Sequence, residues 1–250
     1  MSLYVIMYID THVLTPARDP MGAAIMDYQT TGRAGRLWVK SSMFGDDEMP
    51  VPHLFRAAAD MPPIERRALQ MARGRILDVG AGAGCHTLAL QQQGAEVTAI
   101  DISPLSCEAM RLRGVAHVAC VNLFDPALTA GYDTILMLMN GTGIAGRVAR
   151  LPLLMARLCQ LLNAGGRVLI DSSDLRYIYE NEDGSMDINL NGAYYGEVDY
   201  QMVYGQVVGQ PFDWLYADYQ LLSAAAAQSG LHCSLVLQGS HYDYLAMLEK

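Results

Sequence analysis

Asp78, Gly80, Gly82, Gly84 and Asp101 are the residues whose types and spacing point most directly to chemistry. Glycines at two-residue intervals let a backbone turn sharply and approach a ligand closely. Behind them, Thr87-Leu88-Ala89-Leu90 continues as a helix toward Gly94, and the free N–H groups at a helix start favour polar or anionic ligand groups. Ahead of them, Ile76, Leu77 and Val79 form a short apolar run that reads as a buried strand. A second strand, 96–101, ends in Asp101, seventeen residues beyond Gly84. A carboxylate there can accept hydrogen bonds from both hydroxyls of a ribose.

Two nucleoside cofactors fit that outline. The dinucleotide fingerprint G-x-G-x-x-G needs glycine at position 85, which is Cys85 here. What stands instead is Asp78-x-Gly80-x-Gly82-x-Gly84, with an acid on the strand just before the loop. This pattern resembles motif I of the class I, seven-stranded S-adenosylmethionine (SAM)-dependent methyltransferases, and Asp101 matches that family's acidic residue ending its second strand. The resemblance implies SAM as cofactor. Asp78 and the backbone of Gly80, Ala81, Gly82 and Gly84 would hold its methionine end, Asp101 its ribose, and Ile102 would lie under the adenine. The family often has an Asp after its third strand that accepts from the adenine amino group. This chain offers Asn122 and Leu123 there, with Asp125 three residues on. Asn122 can accept through its carbonyl oxygen, and the Leu123 N–H could reach a ring nitrogen.

Catalytic residues are harder to read, because the cofactor carries the chemistry and the protein mainly positions donor and acceptor. The run Met139-Asn140-Gly141-Thr142-Gly143 lacks the Asn/Asp-Pro-Pro-aromatic motif of amino-methyltransferases acting on DNA bases. Asn140 still falls at a sheet edge near the methyl group, a candidate for cofactor or substrate contact. Asp171, Ser172, Ser173 and Asp174 leave the fifth strand toward the same crevice, and one of them could orient an acceptor or serve as a base. His86 follows the glycine loop and could cap it or contact ligand, but reads first as a helix-face histidine. Tyr28, Trp38, His53, Tyr194, Tyr195 and His241 are weaker pocket candidates that read first as packing or surface. No metal-ligand spacing and no Ser-His-Asp ordering stands out.

These residues need a sheet to hold them. From Ile76 the chain alternates strand and helix. Strands are expected at 96–101, 117–122, 132–139 and 167–171, with Ser103-Pro104 opening one helix and Leu151, Leu154, Leu158, Leu161 and Leu162 marking the stripe of another. Asp218 can cap a helix through Ser229, and 233–238 and 242–248 close as two strands without a helix between them. The reading is an α/β fold, a doubly wound, mostly parallel seven-stranded sheet with an antiparallel C-terminal strand, the Rossmann-like architecture of the family. Residues 75–250 form this domain, with an insertion at about 172–212 containing a strand at 197–204. Residues 1–74, broken by prolines, read as a cap that covers the substrate, with a helical turn or two at 23–28, a strand at 37–40, helix at 53–60 and a helix from Pro63 to about Ala72.

Composition narrows the partners. The chain is 250 residues long, 52% hydrophobic, and carries a net charge of −9. Through Arg75 there are nine basic and eight acidic residues; beyond it, eight and eighteen. With no basic cluster beyond Arg66-Arg67, nucleic acid is disfavoured as a partner. The insertion is more acidic still: between Asp171 and Asp218 ten acids face one base, Arg176. Cys85, Cys107, Cys120, Cys159 and Cys233 show no C-x-x-C spacing and read as reduced thiols of a cytoplasmic protein, with no metal site. The N-terminal MSLYVIMYID lacks the parts of a signal peptide and reads as a strand or ragged end. No apolar run is long enough to cross a membrane, and no feature selects an oligomeric state.

The function that follows is methyl transfer from SAM by in-line displacement to a small-molecule acceptor, neutral or cationic given the acidic insertion. Three alternatives stand beside it: a non-catalytic SAM-binding or regulatory protein, a protein methyltransferase, and an NAD-dependent oxidoreductase, which Cys85 and the closing hairpin disfavour.

Overall fold

The computed structural model describes residues 11–181, 183, 185 and 192–250. The expected strand or ragged end at 1–10 lies outside the described residues. The N-terminal region begins with a 3₁₀ turn at Pro16–Arg18 and the helix α1 (Pro20–Thr31). Asp19 caps α1 by accepting from Gly22 N, and Pro20 fills the first helical position, so the helix is twice as long as the turn or two expected at 23–28. Strands β1 (Leu37–Lys40) and β2 (Asp47–Met49) follow. The helix expected at 53–60 is instead two 3₁₀ turns, Val51–Phe55 and Ala58–Asp60, because Arg56 and Ala57 adopt extended ψ angles of 148° and 163° between them. The helix α2 (Pro63–Met71) closes the region.

The alternating part runs β3 (Ile76–Val79), α3 (Cys85–Gln92), β4 (Val97–Asp101), α4 (Pro104–Leu112), β5 (His117–Cys120) and β6 (Tyr132–Met137). Two 3₁₀ turns, Gly141–Ala145 and Val148–Arg150, lead to α5 (Leu151–Leu161) and β7 (Leu162–Ser173). Leu162, expected at the end of the helical stripe, opens β7 and pairs with Tyr132. After a 3₁₀ turn at Leu175–Tyr179 come β8 (Glu197–Tyr204), β9 (Val207–Val208), β10 (Phe212–Leu215), α6 (Tyr219–Gln228), β11 (His232–Gln238) and β12 (Asp243–Glu249). Asp218 caps α6 as its position suggested, accepting from Leu221 N.

Seven strands form one sheet in the order β11-β12-β7-β6-β3-β4-β5. Pairs from β7 through β5 are parallel, while β12 runs antiparallel to both β7 and β11. Strand alternation builds a core on each face. Leu77, Val79, Ile135, Met137, Val168 and Ile170 pack with Leu154, Leu158 and Leu222 of α5 and α6. Ile76, Leu136 and Leu169 pack with Ile64 and Leu69 of α2 and Leu90 of α3. The α/β class and the mostly parallel seven-stranded sheet with its antiparallel closing strand are as the sequence led us to expect.

A second sheet joins the two parts of the chain that lack α/β alternation. Its order is β10-β8-β1-β2, with β9 on β8, and every pairing is antiparallel. Leu37 faces Tyr204 and Lys40 faces Gln201, so the N-terminal region and the insertion form one layer. This layer meets the 3₁₀ turn that follows β6, where Gly143 lies against the Trp214 ring of β10.

A methyl group at position 143 would sit inside the Trp214 indole. Gly143→Ala is therefore expected to lower stability by about 1–3 kcal/mol through overpacking. Urea unfolding should show a lower midpoint with an unchanged slope. An unchanged midpoint would mean that this turn and β10 are not in close contact.

Candidate active site

Strand β3 is wholly buried and delivers the loop that follows it to the carboxyl edge of the sheet. Asp78, 2% exposed, accepts a 2.6 Å hydrogen bond from the Thr87 hydroxyl, which ties the end of β3 to the first turn of α3. Burial raises its pKa. Gly82 adopts φ = +55°, and no atom lies within 4 Å of where a Cβ would be, so the bare backbone faces open space. Gly84, at φ = +81°, is also the N-cap of α3 and offers no side-chain cap. Gly84 thus supplies no side-chain partner for the first N–H groups of α3, of which Asp78 engages that of Thr87.

Asp101 closes the loop from the side. Its Oδ2 accepts from Gly82 N at 2.8 Å and its Oδ1 from Ser103 N at 2.8 Å. Burial pushes its pKa up to about 6; the two backbone N–H groups pull the other way, and the charges of Asp19 and Asp78 add to the rise. Asp19 stands nearby, fully buried, accepting from the Ser103 hydroxyl at 2.5 Å. Ile102 is partly exposed beside Asp101, and its carbonyl accepts from Leu14 N. The loop thus lies among three acids, a setting suited to a cationic ligand.

At the end of β6, Met139 and Asn140 both take left-handed backbone angles, φ = +67° and +64°. Such strain in successive non-glycine residues persists only where surroundings impose it, and it clusters at functional sites. Here Asp171 imposes it: Oδ1 accepts from Asn140 N at 2.8 Å and from Gly141 N at 3.2 Å. Burial raises Asp171 to about 6 against the effect of those two donors. The Asn140 side chain is fixed as well, its Oδ1 accepting from Ser172 Oγ at 3.0 Å and its Nδ2 donating to Leu215 O at 3.3 Å. Thr142 Oγ1 completes the group, 2.7 Å from Ser172 Oγ.

Asp174 is buried rather than a solvated acid. It accepts from Tyr195 Oη at 2.9 Å and Arg176 Nε at 2.7 Å. Tyr195 Oη is also 3.1 Å from Asp218 Oδ2, which accepts from Tyr194 Oη at 2.7 Å. A cavity of about 340 Å³ lies beside this network, lined by Tyr179, Tyr194, Tyr195, Arg147, Glu197 and Asp199 among others. Among the acids of the insertion, Glu180 and Asp183 are exposed, and Glu182 lies outside the described residues.

The remaining sequence candidates are spread out. Asn122 bonds its own turn at Phe124 N and donates to His12 O, while Leu123 is buried in the core and Asp125 caps Ala127 N. Tyr28 packs on Phe55 with ring centres 4.6 Å apart, and Arg36 lies over Trp38. His53 and His241 are exposed. Ser173 pairs with Asp243 in the sheet.

Sequence reasoning missed the buried group at His86. Glu65 Oε2 accepts from His86 Nε2 at 2.8 Å and from both Nε and Nη2 of Arg56. Burial alone would lower the His86 pKa, but Cys85 and Glu65 raise it to about 10, so the ring is cationic at neutral pH. Burial would likewise raise Glu65, yet His86 and Arg56 hold it below the usual carboxylate range. Arg56 and Glu65 are nine residues apart on different elements, and only the fold brings them to His86. Asp19 was legible in part, since Asp before Pro is a helix-start signal.

Comparison with known proteins places these features in context. Residues 76–166 match a family model described as a methyltransferase domain. A SAM-dependent methyltransferase from Bacteroides fragilis, solved with S-adenosyl-L-homocysteine, is 55% identical, covering 96% of this chain and 98% of that one with a TM-score of 0.91. The CcbJ methyltransferase from Streptomyces caelestis shares the fold at 17% identity, covering 94% of this chain and 98% of that one, TM-score 0.59. The sugar N-methyltransferase KedS8 from Streptoalloteichus sp does so at 19% identity, covering 84% and 97%, TM-score 0.55. A ubiquinone biosynthesis O-methyltransferase from Xylella fastidiosa is 43% identical over 49 residues, so the match spans 20% of that curated relative's length.

The Asp171 latch has a pH signature. Its raised pKa means the native state keeps this proton to higher pH than the unfolded chain. Between about pH 4 and about pH 6 the native state binds more protons, so stability contributed by the group at low pH is lost as pH rises. Asp171→Asn lacks this titration. The wild-type stability measured against that variant should fall across the window and level off above it, and a flat difference would show an ordinary carboxyl.

Proposed function

Since this chain belongs to the SAM-dependent methyltransferases, we propose that it moves the methyl group of SAM to a small-molecule acceptor held between its two sheets. The activity of the family is SAM-dependent methyl transfer. The acceptor, the site roles and a cytoplasmic setting are our reading. What carries it is the arrangement at Asp101, where a carboxylate closes β4 beside the bare Gly82 backbone and the uncapped start of α3.

The residues fit that cofactor by chemistry. SAM supplies a methyl group on a cationic sulfonium, so displacement needs alignment more than covalent help from the protein. Asp101 would turn its carboxylate to the ribose hydroxyls, and Ile102 would offer an apolar face to the adenine. The backbone of Gly80, Ala81, Gly82 and Gly84 would line the methionine end, while Asp78, bonded to Thr87, holds that backbone in place. Asn122 and Leu123 would border the adenine. The acids around the loop would favour the positive charge of the bound cofactor over the neutral thioether left after transfer.

Asn140 would stand at the reacting carbon, held by Asp171 and Ser172. Its fixed amide can orient an acceptor, and Asp171, raised by burial to about 6, is the better-tuned group should a proton have to leave. Asp174 would act through Tyr195 on the acceptor side. Tyrosines and a surplus of acids on the insertion suit a small neutral or cationic acceptor. Among the described residues no helix is long and apolar enough to cross a membrane.

Calorimetry with S-adenosylhomocysteine and with NAD tests the cofactor. Binding of the first is expected, and tight NAD binding without it would overturn the reading. Asp101→Asn should weaken S-adenosylhomocysteine about tenfold or more, the loss of charge-assisted hydrogen bonds. Wild-type affinity should also fall as pH drops below about 6, where Asp101 takes up its proton, and the variant should lack that fall. For the acceptor, labelled methyl transfer to extracts should appear in the small-molecule fraction. Label confined to protein would favour a protein methyltransferase, and binding without any transfer a regulatory protein.

A further inference from the structure

Four separate contacts from the N-terminal region end on the glycine loop and its immediate supports. Asp19 accepts from Ser103 Oγ; Ser103 N in turn donates to Asp101, which holds Gly82 N. Ile25 and Leu54 pack in one apolar cluster with Ala83, the loop residue between two glycines. Phe55 lies under the Arg113 guanidinium, 4.6 Å from ring centre to Cζ, and Arg113 Nη1 donates to Ala83 O at 2.5 Å. Arg56 and Glu65 close on His86 in the first turn of α3. A region whose role was limited to covering an acceptor would have no need to grip the loop from behind.

We propose that residues 19–65 form part of the cofactor cradle, with Glu65 as the positioning residue that couples docking of this region to cofactor binding. The proposal rests on the cofactor reading above. Its physical basis is that the loop has little rigidity of its own. Gly80, Gly82 and Gly84 all hold positive φ angles, a conformation that glycine reaches without strain but does not itself select. Selection must come from what surrounds the loop, and on one side the surroundings are Ile25, Leu54, Phe55 and Glu65.

Glu65 carries the largest share because its Oε2 meets both His86 and Arg56. His86 and Arg56 are both buried, and both meet the same carboxylate oxygen of Glu65. If the N-terminal region lifts away, His86 loses the carboxylate that fixes its ring, and the first turn of α3 loses that anchor. That turn presents the N–H groups a ligand would use. Linkage then requires the converse: a ligand that needs an ordered loop must stabilise the docked N-terminal region by the same factor.

The test is hydrogen exchange on the whole chain with and without S-adenosylhomocysteine, paired with calorimetry on Glu65→Gln and Phe55→Leu. In the wild type, saturating ligand should slow exchange across residues 19–56 as well as 78–88. Glu65→Gln should weaken the ligand about tenfold, within the usual range of coupling between sites, and Glu65→Asp should recover part of it. Phe55→Leu, which keeps an apolar side chain and removes the ring that meets both Arg113 and Tyr28, should weaken it less. Exchange confined to the loop, or a Glu65→Gln protein that melts earlier yet binds ligand normally, would overturn the proposal and leave the cofactor reading standing. A wild type that bound no ligand would overturn both.

Discussion

At the carboxyl edge of the seven-stranded sheet, Asp101 and Asp171 accept backbone N–H groups, and the glycine loop and the turn after β6 are held by them. Asp101 holds Gly82 and Ser103, Asp171 holds Asn140 and Gly141, Asp19 holds Gly22, and Asp218 holds Leu221. In each case a loop or helix start that backbone pairing leaves open is fixed by a carboxylate. The arrangement is self-reinforcing in geometry and self-opposing in charge. Partial burial raises Asp101 and Asp171 to about 6, so the edge is pre-organised at the expense of a strained electrostatic state. A cation bound there would relieve that strain.

The second constraint is the layer formed by β1, β2, β8, β9 and β10. It takes strands from both ends of the sequence and sits against the crevice through the Gly143–Trp214 contact. Tyr204 of β8 shows how the layer is tied together. Its hydroxyl donates to Asp27 of α1 and accepts from Gly35 N, so one insertion residue fixes both ends of an N-terminal segment. The N-terminal region and the insertion are therefore tied by this side chain as well as by the pairing of β1 with β8.

How much was legible in the sequence follows from how local each signal is. The seven strands, the Ser103 and Asp218 caps and the glycine loop each depend on residues within a few positions of one another, so periodicity and capping rules found them. The pairing of Leu37 with Tyr204 joins segments far apart in the chain, and nothing in either segment names its partner. β2 carries Asp47 and Glu48 on an edge strand with no apolar face to betray it. Asn140 and Asp171 were found as candidates, but the left-handed backbone that links them was invisible, since neither Met139 nor Asn140 advertises a positive φ as glycine does. Glu65 and Arg56 were passed over for a similar reason: charged residues in a proline-rich stretch read as solvated until the fold buries them.

That last case bears on why the ionic group exists. Replacing a buried ion pair with apolar side chains is often neutral or favourable for stability, so stability alone is a weak account of Arg56, Glu65 and His86. An apolar contact would hold the N-terminal region against α3 in many registers, because hydrophobic attraction has no preferred direction. Glu65 is directional. Its Oε2 must meet His86 Nε2 and the Arg56 guanidinium together, and that condition is satisfied in one seating of the region on the loop. Ile25 and Leu54 supply the attraction, while Glu65 selects the register in which Ala83 and the glycines beside it take the conformation a ligand requires.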